Sequence, residues 1–172
     1  MGLDELRRYI RDVADFPKPG IVFKDITPML GHPEAFRRAI DLMAESVPDG
    51  VQTIVAPEAR GFIFGAAVAH ARSLGFVPIR KPGKLPHDTH SVSYDLEYGQ
   101  DTVEMHVDGV DDGENVLLID DVLATGGTMR ACVDLVESRG ARVRGCLFFM
   151  ELGFLEGRKR LGNVRVESVI RE

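Results

Sequence analysis

Hydrophobic residues recur along the chain in short segments that alternate between the spacing of strands and that of helices. "QTIVAP", "FVPIR" and "NVLLID" are short apolar runs typical of buried strands, and "RVRGCLFFM" and "VRVESVI" continue the series. Helical spacing separates them in "GFIFGAAVAHARSLG", which Gly75 closes, over residues 127–139, and in a short piece near 153–161. This order predicts the α/β class: a single doubly wound domain over residues 1–172, with a central parallel sheet flanked by helices.

Two parts of the chain lie outside this alternation. Apolar residues at helical spacing predict an amphipathic helix over residues 3–14, which the prolines of "FPKPGIVF" end, and Pro33 is placed to open the next helix. Residues 81–100 combine prolines and glycines with many polar residues, which predicts a long loop or a β-excursion before the alternating strand "DTVEMHV".

Composition narrows the class of protein. The 172 residues carry a net charge of -6, which argues against a nucleic-acid-binding surface. "MGLDELRRYIRDV" lacks the apolar core of a signal peptide, and no window reaches the length of a membrane span. Cys132 and Cys146 have no metal-type spacing and are predicted to be reduced packing residues. We therefore expect a cytoplasmic protein that binds neither membrane nor nucleic acid.

The stretch "VLLIDDVLATGGT" carries the chemistry. It places Asp120 and Asp121 at the end of a predicted central strand, the edge where open α/β sheets bind ligands. Gly126 and Gly127 then form a turn into a helix, whose free N–H groups and dipole favour phosphate. A helix cap or a strand end would explain either feature alone. Together they predict a ligand with hydroxyls or a metal at one end and a phosphate at the other.

This stretch resembles the signature of type I phosphoribosyltransferases, which bind phosphoribosyl pyrophosphate (PRPP). A Walker loop is excluded because no lysine follows the glycines, and GxGxxG is absent. The resemblance implies that Asp120 and Asp121 hold the ribose 2′ and 3′ hydroxyls. It also implies that Mg²⁺ arrives with PRPP, without direct protein ligands, and that the 5′-phosphate is held by Ala124, Thr125, Gly126, Gly127 and Thr128.

"FPKPGIVFKDITPML" resembles the hood of the family members that act on adenine, predicted over about residues 15–35. The resemblance implies that Val22 and Lys24 bind the adenine edge through their main chains, and that Phe23 flanks the ring. Simple core packing of Val22 and Phe23 is the alternative. Most relatives have arginine where this chain has Lys24, a difference of little consequence if only the backbone binds.

"APEARGFIFG" and "IRKPGKLP" resemble the pyrophosphate-binding parts of the family. Arg60 is implied to act on the pyrophosphate and in catalysis, a cis peptide is expected at Glu58–Ala59, and Glu58 is expected to orient nearby cations. An ion pair at the surface is the alternative for Arg60, and a solvated face for the cluster. The further pyrophosphate-binding residues are implied to be Arg80, Lys81 and Lys84, some of them reaching a neighbouring subunit's site in a homodimer.

"YDLEYG" resembles the lid of the same enzymes, predicted over about residues 82–105. It implies that Glu97 is the catalytic carboxylate that exchanges a proton with the purine, with Tyr98 beside it; without the resemblance Glu97 would be an ordinary exposed acid. His87 and His90 receive no role.

The resemblance thus implies an enzyme of purine salvage, which transfers phosphoribosyl from PRPP to adenine and yields AMP and pyrophosphate. Two alternatives stay open at this stage. One is transfer to xanthine, hypoxanthine or guanine, and the other is a PRPP-sensing regulator without catalytic activity.

Overall fold

The computed structural model describes residues 1–95 and 99–172. It separates the chain into two compact units, residues 1–42 and 43–172. The strands, in chain order, are β1 (Arg11–Ala14), β2 (Val22–Asp25), β3 (Thr53–Pro57), β4 (Gly75–Ile79), β5 (Thr89–Asp95), β6 (Gln100–His106), β7 (Asn115–Leu123), β8 (Arg142–Glu151) and β9 (Val166–Arg171). The helices are α1 (Leu3–Arg7), α2 (Thr27–Leu30), α3 (Pro33–Glu45), α4 (Arg60–Arg72), α5 (Gly127–Glu137) and α6 (Gly157–Leu161), with a 3-10 turn at Gly153–Leu155.

In the first unit the N-terminal helix is shorter than predicted. The prediction of a helix over residues 3–14 is wrong beyond Arg7, because residues 11–14 form β1 and pair antiparallel with β2. The spacing of apolar residues cannot predict this pairing, because the partner strand β2 lies beyond the proline-rich turn. Pro33 does open α3, as expected.

In the second unit five parallel strands form the central sheet in the order β4-β3-β7-β8-β9. Phe64 of α4 stacks on Phe149 of β8, with ring centroids 5.3 Å apart. The preceding Phe148 lies instead in the core cluster that includes Leu135 of α5. Consecutive strand residues face opposite sides, so α4 and α5 cover opposite faces of the sheet. The predicted fold class is therefore confirmed.

Two element boundaries differ from expectation, and one open alternative is resolved. Gly75 begins β4 and does not close α4, which ends in the left-handed Ser73, with φ of 55°. β7 runs past the acidic pair to Leu123, because its pairing with β8 continues to Glu151. Of the two possibilities for residues 81–100, the β-excursion is correct, since β5 pairs antiparallel with β6.

Both cysteines are free and buried, as predicted. Burial raises the pKa of the Cys146 thiol to about 12 and that of Cys132 further still, so neither is poised to ionise. Among the described residues, no helix is long and apolar enough to cross a membrane.

Candidate active site

A cavity of about 370 Å³ opens beyond the carboxyl ends of β3, β4 and β7. This is the edge of an open parallel sheet where ligands bind. Three groups of side chains converge there: an acidic pair, a glycine-rich loop and a basic cluster. The lining includes Glu58, Arg60, Arg80, Lys81, Tyr94, Asp101, Asp120, Asp121 and every residue of Ala124–Thr128.

The acidic pair lies near the end of β7, facing the start of α4. Asp121 is only 4% exposed, and Arg60 Nε lies 2.8 Å from its Oδ2 atom. The Asp121 N–H donates to Asp120 Oδ1 over 2.8 Å. Gly61 permits this close approach, since a Cβ there would lie 2.8 Å from Asp120 Oδ1. The helix start therefore packs directly against the carboxylates.

Electrostatics make the pair an unusual one. Burial, and then the charge of Asp121, raise the pKa of Asp120 well above its ordinary value. Burial also raises the pKa of Asp121, although the Arg60 charge opposes the shift. Carboxyl groups with strongly shifted pKa values are common at functional sites. Because an ionised carboxylate only accepts hydrogen bonds, the pair suits a ligand whose hydroxyls donate them.

The glycine-rich loop follows β7 and leads into α5, whose first residue is Gly127. Gly126 adopts a φ of +82°, and a Cβ there would lie 2.5 Å from the Gly157 carbonyl oxygen. Only glycine fits this left-handed and crowded position. The loop therefore rests on the start of α6 and presents the N–H groups of a helix N-terminus to the cavity.

Arg160 of α6 lies against the same loop. Its Nη1 atom is 3.0 Å from the position of a Cβ on Gly127, and its own Cβ is 3.3 Å from the corresponding position on Gly126. The side chain is exposed, and no described residue forms an ion pair or hydrogen bond with it. A cation at a phosphate-type loop was not predicted from the sequence, because "GRKRL" is an ordinary basic helix until α6 is placed.

Arg80 and Lys81 of the basic cluster also line the cavity. Arg80 Nε donates to Glu58 Oε2 over 2.5 Å, and the Lys81 N–H donates to Glu58 Oε1 over 3.2 Å. Burial pushes the pKa of Glu58 upward, but these bonds and the charges of Arg80 and Lys84 outweigh it and leave the pKa lowered. Glu58 is thus an ionised residue that orients cations, as expected, and the Glu58–Ala59 peptide is cis, also as expected. Lys84 does not line the cavity.

A hydrogen-bonded group connects the basic cluster to the loop. Asp101 Oδ2 accepts from the Lys81 ammonium and, over 3.0 Å, from the Tyr94 hydroxyl. That hydroxyl also lies 3.1 Å from Thr128 Oγ1. Tyr94 and Asp101 are directly opposite each other in the β5–β6 pair. Neither was predicted as a site residue, because only this strand register brings them to Lys81.

The predicted hood residues lie in the first unit. Val22 is 51% exposed, the Phe23 ring meets Phe16 edge to face at 5.2 Å, and Lys24 Nζ lies 2.8 Å from Asp12 Oδ1. Val22 and Lys24 are two residues apart on β2, so their main-chain groups point to the same edge of the strand. Glu97 and Tyr98 lie outside the described residues.

Comparison with known proteins decides the family. The model of the phosphoribosyl transferase domain matches residues 27–169. An adenine phosphoribosyltransferase of Solidesulfovibrio magneticus is 58% identical over 167 residues, covering 96% of this chain and 98% of that protein. This chain belongs to the adenine phosphoribosyltransferase family. The resemblance drawn from the sequence is thereby confirmed, and the protein is an enzyme.

Solved structures of the family agree. The adenine phosphoribosyltransferase of Thermoanaerobacter pseudethanolicus superposes with a TM-score of 0.97 at 49% identity, covering 99% of this chain and 100% of that one. The Saccharomyces cerevisiae enzyme, complexed with D-2,5-dideoxy-2,5-imino-altritol 1,6-bisphosphate and adenine, has a TM-score of 0.89 at 39% identity, with 95% of each chain covered. In this adenine phosphoribosyltransferase fold, every predicted ribose and 5′-phosphate residue borders one cavity, together with Arg60, Arg80 and Lys81.

Proposed function

We propose that the protein transfers the 5-phosphoribosyl group from PRPP to adenine, a purine salvage reaction that yields AMP and pyrophosphate. One observation carries the proposal: a single cavity is lined by an acidic pair, a phosphate-type loop and a basic cluster. PRPP carries a matching group for each, with ribose hydroxyls, a 5′-phosphate and a pyrophosphate. Family membership and the adenine complex of the yeast relative support adenine as the acceptor.

The residues of the cavity would act by positioning and by charge. Asp120 and Asp121 accept hydrogen bonds from the ribose hydroxyls, and residues 124–128 bind the 5′-phosphate. Arg60, Arg80 and Lys81 stabilise the charge that develops on the leaving pyrophosphate as the N9 atom of adenine bonds to C1′. Orienting two substrates in this way can supply ~7–11 kcal/mol of the barrier reduction.

The base would be read by the hood and the lid. β2 pairs only with β1 among the described residues, so alternate main-chain groups of Val22 and Lys24 suit an edge-on purine. Phe23 would supply an aromatic face. Glu97 would take the proton that N9 loses, and this role rests on the "YDLEYG" motif alone. Lys84, whose charge helps to lower the pKa of Glu58, would itself contribute positive charge near the pyrophosphate.

Three further properties belong to the same proposal. Mg²⁺ bound with PRPP would neutralise phosphate charge, and the oxygen-rich pair of Asp120 and Asp121 fits a hard cation held mainly by the substrate. Loss of activity with a chelator, restored by Mg²⁺, would test this. We also propose a cytoplasmic homodimer, which light scattering and cell fractionation would test.

A base-panel assay tests the function. The protein is incubated with PRPP, Mg²⁺ and, in turn, adenine, hypoxanthine, guanine or xanthine, and nucleotide and pyrophosphate are measured. We expect AMP from adenine at a rate far above that of any oxopurine nucleotide. Absence of AMP would refute the proposal. Running Glu97→Gln in the same assay separates its role, since wild-type kcat in that variant would remove Glu97 from catalysis.

Arg160→Ala should weaken PRPP binding without slowing the chemical step. The guanidinium lies against Gly127, so its charge favours a phosphate on the loop. We expect KM for PRPP to rise about three- to tenfold, with kcat unchanged and the effect shrinking as salt is added.

Lys159→Ala is the matched control for Arg160, because Lys159 is a neighbouring cation on α6 that pairs with Glu156 at 2.6 Å. It should leave KM unchanged. An equal rise in both variants would show that net charge, and not the position of Arg160, sets the affinity.

A further inference from the structure

Four side chains form a connected group across the cavity, which we call the Asp101 latch: Lys81, Tyr94, Asp101 and Thr128. Asp101 Oδ2 accepts from both Lys81 and Tyr94, and Lys81 Nζ also lies 5.9 Å from the centre of the Tyr94 ring. The other oxygen, Oδ1, accepts from the Thr102 N–H over 2.9 Å. One carboxylate thus binds Lys81 and Tyr94 directly, and it reaches Thr128 through the Tyr94 hydroxyl.

The direction of each hydrogen bond follows from the charges. The Lys81 hydrogen bond, the largest influence, lowers the pKa of Asp101, so the carboxylate is ionised and only accepts. Tyr94 has a single hydroxyl proton, which it donates to Asp101. Thr128 must then donate its own proton to the Tyr94 oxygen, 3.1 Å away. While the latch is closed, that proton is unavailable to a phosphate on the loop.

Lys81 and Thr128 are also residues that the proposed function assigns to the two phosphate ends of PRPP. We propose that Asp101 is a positioning residue that holds the Lys81 ammonium directly, and the Thr128 hydroxyl through Tyr94, until substrate displaces them. The inference rests on the proposed function. It adds that the two subsites are energetically linked through a single carboxylate.

The link has a definite sign. A ligand that takes Lys81 removes the main anchor of Asp101, and Tyr94 then holds Thr128 less firmly. A ligand that takes the Thr128 proton likewise loosens Tyr94 and Asp101. Each ligand therefore favours the open latch, and each should raise the affinity for the other by the same factor.

Tyr94→Phe is the deciding variant, because it removes one hydroxyl and changes no charge. Binding of pyrophosphate and of ribose 5-phosphate is measured by calorimetry at fixed Mg²⁺, each alone and each with the other at saturation. In Tyr94→Phe we expect ribose 5-phosphate alone to bind about three- to tenfold more tightly than in the wild type, the range for one hydrogen bond. The favourable coupling should fall by the same factor. Asp101→Asn should bind pyrophosphate more tightly as well.

Ser93→Ala is the matched control. Ser93 precedes Tyr94 on β5, faces the other side, and makes a comparable cross-strand contact of 2.9 Å with Thr102. It should leave both affinities and their coupling at wild-type values. Unchanged affinity and coupling in Tyr94→Phe would overturn the latch while leaving the enzyme's activity intact. A wild-type protein that binds neither ligand would overturn the proposed function, and the latch with it.

Discussion

Gly126→Ala is expected to destabilise the protein and to abolish most of its affinity for PRPP. The φ of +82° costs an alanine ~1–2 kcal/mol, and the new Cβ would meet the Gly157 carbonyl at 2.5 Å. Overpacking of this kind adds ~1–3 kcal/mol or displaces the loop. We expect the free energy of unfolding to fall by about 2–4 kcal/mol in urea titrations, and Kd for PRPP to rise at least ~10-fold because the loop N–H groups lose their arrangement.

Gly50→Ala separates the two causes. Gly50 has nearly the same φ, +81°, but a Cβ there would have nothing within 4 Å. It should show only the backbone part of the destabilisation, and normal PRPP affinity. If both variants lose the same stability, the contact between the loop and α6 has no role in holding the loop.

The order of strands and helices in residues 43–172 could be predicted because each element there has a recognisable local sequence pattern. Buried strands such as β7 are continuous apolar runs, and glycines mark the turns between elements. The predicted length of the N-terminal helix was wrong because a contact distant in sequence decides the structure there. Residues 11–14 have helical spacing, yet their partner β2 is reached only across a proline-rich turn, and pairing overrides local preference.

The candidate site divides in the same way. Asp120, Asp121 and the glycine loop are contiguous in sequence, so the motif predicted them together. Strand register and helix packing alone bring Tyr94, Asp101 and Arg160 to the candidate site. The β5–β6 pairing places Tyr94 and Asp101 beside Lys81, and α6 places Arg160 against the loop. A single sequence contains no signal for such placements.

The buried acidic pair of the candidate site lowers the stability of the folded protein. Burial and the neighbouring carboxylate raise the pKa of Asp120, so the folded protein holds the proton more tightly than the unfolded chain does. The free energy of unfolding therefore falls as pH rises from the unfolded value of 3.8 through the folded pKa, and stays lowered above it. Each unit of upward shift corresponds to about 1.4 kcal/mol.

Asp120→Asn should consequently have opposite effects on stability and binding. Asparagine carries no charge to desolvate, and its Oδ1 can still accept from the residue 121 N–H, so Tm at pH 7.5 should rise by ~2–4 °C for each kcal/mol relieved. The gain should be absent near pH 3, where the wild-type carboxyl is protonated too. PRPP affinity should fall about tenfold or more, since a charged acceptor for the ribose hydroxyl is lost.

Asp108→Asn, at an exposed aspartate, should change neither quantity. An Asp120→Asn variant without this pH-dependent gain in Tm would show that the charge is accommodated without cost, and that the site places no burden on the fold.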